Sequence, residues 1–263
     1  MRIDAALRRA RATGLPIVVP YLMVDRGRRS RFAGTVRALA AGGATALELG
    51  FPFSDPIADG PVLEASANRA LRHGTRWSDL LSAIATASAI VPVAVMTYAN
   101  PVLQHGLEDG MKSLAGAGAS GLIVPDLSFE ESAEWVRAAR SARLSLVLLS
   151  APAASASRTA EIARRSRGFL YLVSRYGTTG RQGAPGGEAL PGLVRAAHRA
   201  APKLPVLIGF GVRDAASARE AITSEADGVI VGSALEEQIV AGATPRSIER
   251  WLARIASGAR PAE

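Results

Sequence analysis

Short β-branched or aliphatic runs alternate along this chain with longer amphipathic stretches. The apolar runs at 16–22, 44–49, 91–96, 121–124, 145–149, 169–173, 206–208 and 228–231 read as strands. Between them, 31–41, 77–90, 130–142, 157–165, 191–200, 214–223 and 244–256 carry apolar residues at helical spacing. This alternation is the signature of repeated βα units on a parallel sheet. Eight such units in 263 residues favour one closed (β/α)8 TIM barrel, a single domain over 1–263, rather than an open doubly wound sheet. The first turn, Tyr21-Leu22-Met23-Val24-Asp25-Arg26-Gly27, has no dinucleotide fingerprint, and no linker or short repeat divides the chain. Two loops exceed the usual length, 50–60 and 175–189, the latter with five glycines; long loops in a compact barrel are active-site lids or disordered segments.

Composition narrows the chemistry. The absence of cysteine excludes a disulfide framework, thiolate catalysis and a zinc-finger type of site, and it fits a reducing cytoplasm. The first residues, MRIDAALRRARAT, lack the apolar core of an export signal, and the longest apolar runs contain proline or are too short to cross a bilayer. A soluble cytoplasmic protein without membrane contact is expected. The net charge of +8 raises the question of nucleic acid. However, only Lys112 and Lys203 of the 31 basic residues are lysine, and the arginines are scattered among alanines along helical stretches. The densest run, Arg26 to Arg31, has no interleaved aromatics to stack on bases. Solvated helix faces are the simpler account, and no nucleic-acid partner is expected.

In a barrel of this kind chemistry sits at the C-terminal strand ends and the loops that follow. The second strand ends Ala46-Leu47-Glu48-Leu49-Gly50. Glu48, flanked by leucines in an otherwise apolar strand, is expected to point into the top of the barrel, where lost solvation raises its pKa and suits it to proton transfer. A glutamate paired with a rim arginine is the alternative. Asp55 and Asp59 follow in a Pro- and Gly-rich loop, where acidic residues also serve as turn formers or helix caps. At the ends of the seventh and eighth strands stand Ile208-Gly209-Phe210-Gly211-Val212 and Val231-Gly232-Ser233-Ala234-Leu235. Glycines there let backbone N–H groups approach an anion, and Ser233 adds a hydroxyl at a helix start, so a phosphate site is expected at strands 7 and 8; two ordinary glycine turns are the plain alternative. The loop after the sixth strand suits a lid, in which Gly180 can also donate to phosphate. A Schiff-base lysine is not available in the lumen, since Lys112 falls in a helical run and Lys203 precedes the seventh strand. His73, His105 and His198 are far apart in sequence, which does not suggest a metal site. Carboxylate catalysis remains.

The string Glu48-Leu-Gly-Phe-Pro-Phe-Ser-Asp-Pro-Ile-Ala-Asp-Gly-Pro61 closely resembles the signature of the tryptophan synthase α subunit. Further matches in the same order are Met96-Thr97-Tyr98-Ala99-Asn100-Pro101, Gly121-Leu122-Ile123-Val124-Pro125-Asp126-Leu127, the stretch 171–180, Gly209-Phe210-Gly211-Val212 and Gly232-Ser233-Ala234. The resemblance covers essentially the whole chain. It implies reversible cleavage of indole-3-glycerol phosphate to indole and glyceraldehyde 3-phosphate, with no metal or organic cofactor. By resemblance, Glu48 is the general acid/base, Asp59 holds the indole N–H, and Thr179 bonds Asp59 on lid closure. Gly180, Gly211, Gly232 and Ser233 hold the phosphate, while Tyr21, Met96, Tyr98, Ile123, Tyr171 and Phe210 surround the indole. It also implies docking on a pyridoxal-phosphate β subunit in an α2β2 complex, with Asp55, Pro56 and Asn100 near that interface. The chain departs from the family at Asp25-Arg26-Gly27, where a Gly-Asp-Pro turn is usual, at Ser128, where proline is usual, and in a longer stretch between Gly180 and Leu190. A stand-alone lyase releasing free indole and a catalytically silent scaffold barrel are the competing expectations.

Overall fold

The computed structural model describes residues 2–174, 190–209 and 211–260. Its elements run α1 (Ile3–Ala12), β1 (Ile17–Met23), α2 (Arg29–Ala41), β2 (Leu47–Gly50), α3 (Pro61–Arg72), α4 (Trp77–Ser88), β3 (Val93–Met96), α5 (Ala99–Leu103), α6 (Leu107–Ala117), β4 (Gly121–Ile123), α7 (Ser132–Ser141), β5 (Ser145–Ser150), α8 (Ala156–Arg165), β6 (Leu170–Val173), α9 (Leu190–Ala200), β7 (Val206–Gly209), α10 (Ala215–Thr223), β8 (Gly228–Val231), α11 (Ser233–Val240) and α12 (Pro245–Gly258). Each strand pairs in parallel with the next, and β8 returns to β1, so the sheet closes in chain order. The architecture is a (β/α)8 TIM barrel.

Side-chain alternation along each strand creates two apolar layers. Val18, Leu22, Leu47, Leu49, Val93 and Val95 face the helices, where Leu39, Ile84, Leu114 and Leu252 cover them. The intervening positions, Val19, Tyr21, Met23, Ala94, Met96, Ile123, Val147, Tyr171, Leu207 and Ile230, fill the lumen. Register fixes the levels: Tyr21 lies beside Glu48, Glu48 beside Ala94, and Ala94 beside Gly121. Small residues at that level leave room inside the barrel.

Helix α1 goes beyond the sequence expectation. Ile3, Ala6, Leu7 and Ala10 follow helical spacing and are buried, and Ile3 and Leu7 join the lumen layer and close the N-terminal end of the barrel. The barrel is therefore plugged below and open only towards the C-terminal strand ends. Helices α3 and α5 also lie outside the expected elements, while α6 is the helical run expected around Lys112; α3 begins with Pro61 in the first turn after Gly60, which suits proline because the N–H it lacks would have no helical partner.

Candidate active site

Glu48 sits in the middle of β2 and, by strand alternation, points away from the leucine-covered outer face into the lumen, with 1% of its surface exposed. No arginine pairs with it among the described residues. One carboxylate oxygen, Oε2, is buried with no hydrogen-bond partner among the described residues. Burial first, and the charge of Asp59 second, push its pKa up to about 8. A carboxyl in this setting holds its proton at neutral pH.

Asp59 reaches the same space from the β2–α3 loop. Asp59 N–H bonds the Pro56 carbonyl at 2.9 Å, and Ala58 N–H bonds the Tyr98 hydroxyl at 3.0 Å, which ties this loop to the residue just after β3. Phe53 stacks on the Tyr98 ring with centroids 5.2 Å apart. Asp59 is 6% exposed, and its Oδ1 has no partner among the described residues. Burial raises its pKa to about 6, the Tyr98 hydroxyl bond pulling down against it and the charge of Glu64 adding to it. The two carboxyls thus hold their protons to different pH values, the condition under which one acts as acid while the other is an anion.

Tyr21, Met96, Ile123 and Tyr171 meet in one buried lumen cluster. Burial, and after it the Glu48 and Asp59 charges, push the Tyr171 phenol well above its ordinary range; Tyr21 is raised by burial first and then by Asp59, Glu236 and Glu48. Glycine makes room for both rings: a Cβ on Gly50 would overlap the Tyr21 hydroxyl, and one on Gly209 would overlap the Tyr171 ring. At the ends of the last two strands, Gly211 adopts φ +99° and is exposed, a conformation glycine alone takes at low cost. Gly232 precedes the first turn of α11, which begins at Ser233. Gly232 also lies against Tyr21, where an added Cβ would come within 3.4 Å of the Tyr21 Cβ. Thr179, Gly180 and Phe210 lie outside the described residues.

Asp55 and Pro56 sit on the β2–α3 loop and Asn100 in the first turn of α5, beyond the C-terminal ends of β2 and β3. Asp55 and Asn100 are exposed, Ser54 Oγ donates to Asp55 at 2.5 Å, and the neighbouring Ile57 is 81% exposed.

Two functional features escape the sequence reading. Asp126, after β4, accepts the Ala99 N–H at 2.9 Å and so fixes the start of α5 directly beyond Tyr98. The second feature is a buried charge cluster beside β1. Asp25 accepts from Gly27 N–H at 2.8 Å, contacts His73 Nδ1 at 2.7 Å and lies 3.6 Å from both Arg28 and Arg69. Glu236, fully buried in the first turn of α11, accepts from Met23 N–H at 2.9 Å, Arg28 at 3.0 Å and Ser66 at 3.0 Å. The unusual Asp25-Arg26-Gly27 turn is thus one arm of a cluster that joins β1, α3 and α11. An acid in the α11 sequence is the only local hint, because its partners are up to 213 positions away.

A (β/α)8 barrel closed below by α1, with two buried carboxyls of raised pKa towards its C-terminal end, has the makeup of a TIM-barrel enzyme. Comparison with known proteins gives the family. The family model described as tryptophan synthase alpha chain matches residues 7–259. The tryptophan synthase alpha chain of Synechococcus elongatus is 41% identical over 239 residues, 88% of this chain and 89% of that protein. The Methanosarcina mazei alpha chain is 39% identical over 237 residues, covering 90% and 86%. Among solved structures, a chain of Mycobacterium tuberculosis tryptophan synthase superposes with a TM-score of 0.88 at 34% identity, covering 99% of each chain. The protein belongs to the tryptophan synthase alpha chain family, and with that family it is a lyase of tryptophan biosynthesis.

Proposed function

We propose that Glu48 and Asp59 together perform the retro-aldol cleavage of indole-3-glycerol phosphate in the lumen. The observation that carries this reading is the convergence of two buried carboxyls whose protons are held to about pH 8 and about pH 6. At neutral pH Asp59 is the anion: it accepts the indole N–H and stabilises the positive charge that appears when C3 is protonated. Glu48 supplies that proton. The Glu48 carboxylate so formed then takes the proton of the hydroxyl on the carbon attached to C3. The O–H electron pair becomes the aldehyde C=O, the C–C bond breaks, and its electrons return to the ring. Indole and glyceraldehyde 3-phosphate result, and Glu48 ends as it began. Each positioned proton transfer contributes about 10²–10⁴-fold.

Tyr21, Met96, Tyr98, Ile123, Tyr171 and Phe210 form the walls around the indole. Gly180, Gly211, Gly232 and Ser233 take the phosphate, aided by the N-terminus of α11, whose free N–H groups and dipole favour an anion. Thr179 bonds Asp59 when the following loop closes. The whole chain acts as one domain. Asp55, Pro56 and Asn100, with exposed Ile57 between the first two and α5, form the docking face for a tryptophan synthase β subunit, and turnover that rises on adding that subunit is the expected result. The decisive assay is release of indole and glyceraldehyde 3-phosphate from indole-3-glycerol phosphate. Equimolar products from the wild type and a loss of about 10²–10⁴-fold in Glu48→Gln support the proposal. Unchanged cleavage by Glu48→Gln overturns it.

A further inference from the structure

At the opposite end of the barrel from the carboxyls, a groove of about 960 Å³ runs between α1, the C-terminal ends of α7 and α8, and the segments leading into β5, β6 and β7. Eight of its twenty lining residues are arginine or lysine and one, Asp4, is acidic, whereas basic residues make up 31 of 263 in the chain. The general richness in arginine does not account for that density.

Part of the charge has a structural explanation. Helix C-termini present free carbonyls and a negative dipole end that attract cations. Arg2 donates to the Arg143 carbonyl, Arg167 to the carbonyls of 164, 165 and 166, and Arg165 to the Phe129 carbonyl, with its guanidinium 3.7 Å from the centre of the Phe129 ring. Arg140, Arg143, Arg164 and Lys203 hold no carbonyl among the described residues, although Arg140 and Arg164 stand in the last turns of α7 and α8, where the dipole alone favours a cation. All four are exposed on the groove and have neither an ion pair nor a side-chain hydrogen bond among the described residues. Four like charges around one concavity repel one another and focus a positive potential within it.

Arg143 adds a second observation. Its N–H bonds the Arg140 carbonyl at 3.1 Å and the Leu144 N–H bonds the Ala139 carbonyl at 2.8 Å, the paired bonds of a Schellman helix end. Arg143 takes the left-handed position of that motif, φ +59°, where glycine is the low-cost residue. The chain thus sets a cation on the groove at a position that favours glycine.

We propose that this groove binds a small polyanion bearing a triphosphate chain. Its volume lies within the range of small-molecule sites, and guanidinium groups match phosphate oxygens with paired N–H donors. An inorganic polyphosphate and a nucleoside triphosphate share the recognised chemistry. The site is independent of the lumen and of the reaction proposed there.

Calorimetric titration of sodium tripolyphosphate and of ATP into the intact protein, at about 0.15 M salt so that weak surface attraction is screened, tests the proposal. Saturable one-to-one binding is expected, weakened about tenfold or more in Arg143→Gly/Arg164→Ala/Lys203→Ala, with indole release unchanged. Arg143→Gly alone relieves the left-handed strain, so weaker binding by a variant that melts no lower than the wild type separates ligand recognition from folding. Arg164→Lys keeps the charge and is expected to keep most of the affinity. ATP tighter than tripolyphosphate assigns a nucleotide, and equal affinity assigns the inorganic chain. Equal binding by wild type and triple variant, absence of saturation, or a clear preference for a long RNA strand over both small anions overturns the proposal.

Discussion

Replacing Glu48 with glutamine separates what this residue costs the fold from what it does in the reaction. In an unfolded chain the carboxyl loses its proton near pH 4.5, whereas in the barrel burial first, and the Asp59 charge second, hold the proton to about pH 8. Below 4.5 both states are protonated, and the group imposes no penalty. Between these values the unfolded chain releases a proton that the native state retains. Stability therefore falls with rising pH by roughly 1.4 kcal/mol per unit until the native carboxyl ionises. The ceiling over this window is about 5 kcal/mol, and relaxation in an interior of moderate effective dielectric reduces the expectation to about 3 kcal/mol. Glutamine has nearly the same shape and cannot ionise. The stability of Glu48→Gln relative to wild type should therefore climb from a low-pH baseline to about 3 kcal/mol above it at alkaline pH, while indole release falls by about 10²–10⁴-fold. Urea unfolding at a series of pH values, followed both by circular dichroism and by the fluorescence of Trp77, Trp135 and Trp251, measures the difference and checks that one transition is seen. A gap that stays constant across pH refutes the reasoning, because the carboxyl would then not be held protonated by the fold.

Further outcomes follow from the neighbours of the pair. Tyr98→Phe removes the hydroxyl bond that pulls the Asp59 pKa down against burial, so the acidic limb of the pH–rate profile should move to higher pH; an unmoved limb excludes Tyr98 from this role. Glu236→Ala leaves Arg28, Arg69 and Asp25 without the carboxylate that now joins their charges. Breaking a buried pair from one side costs about 3–5 kcal/mol, and the thermal midpoint should fall sharply; a fall of only a degree or two would show that the cluster is solvated and weak.

The eight strands were legible because a parallel barrel strand is buried on both faces, which leaves a near-continuous apolar run, as at 145–149 and 228–231. Boundaries drifted where the pattern outlasts the ladder: 44–49 reads as one strand in the sequence, yet regular pairing begins at Leu47, and the Thr45 hydroxyl before it contacts Val18 N–H and the Pro16 carbonyl at 3.3 Å. Helix α1 is readable in principle from Ile3, Ala6, Leu7 and Ala10, but arginines interrupt each short apolar stretch and mask the helical spacing. Glu48 was legible as a lone acid between leucines. The Asp25–Glu236 cluster was not, since closing β8 onto β1 brings together residues from the two ends of the chain, and no local pattern encodes that pairing.

The account rests on one carboxyl carrying a proton while its neighbour does not. The pH dependence of kcat/KM for indole-3-glycerol phosphate cleavage tests it most directly. Activity should rise as Asp59 ionises at about pH 6, fall as Glu48 loses its proton at about pH 8, and peak between them. A profile that is flat from pH 5 to 9, or whose alkaline limb persists unchanged in Glu48→Gln, would contradict it.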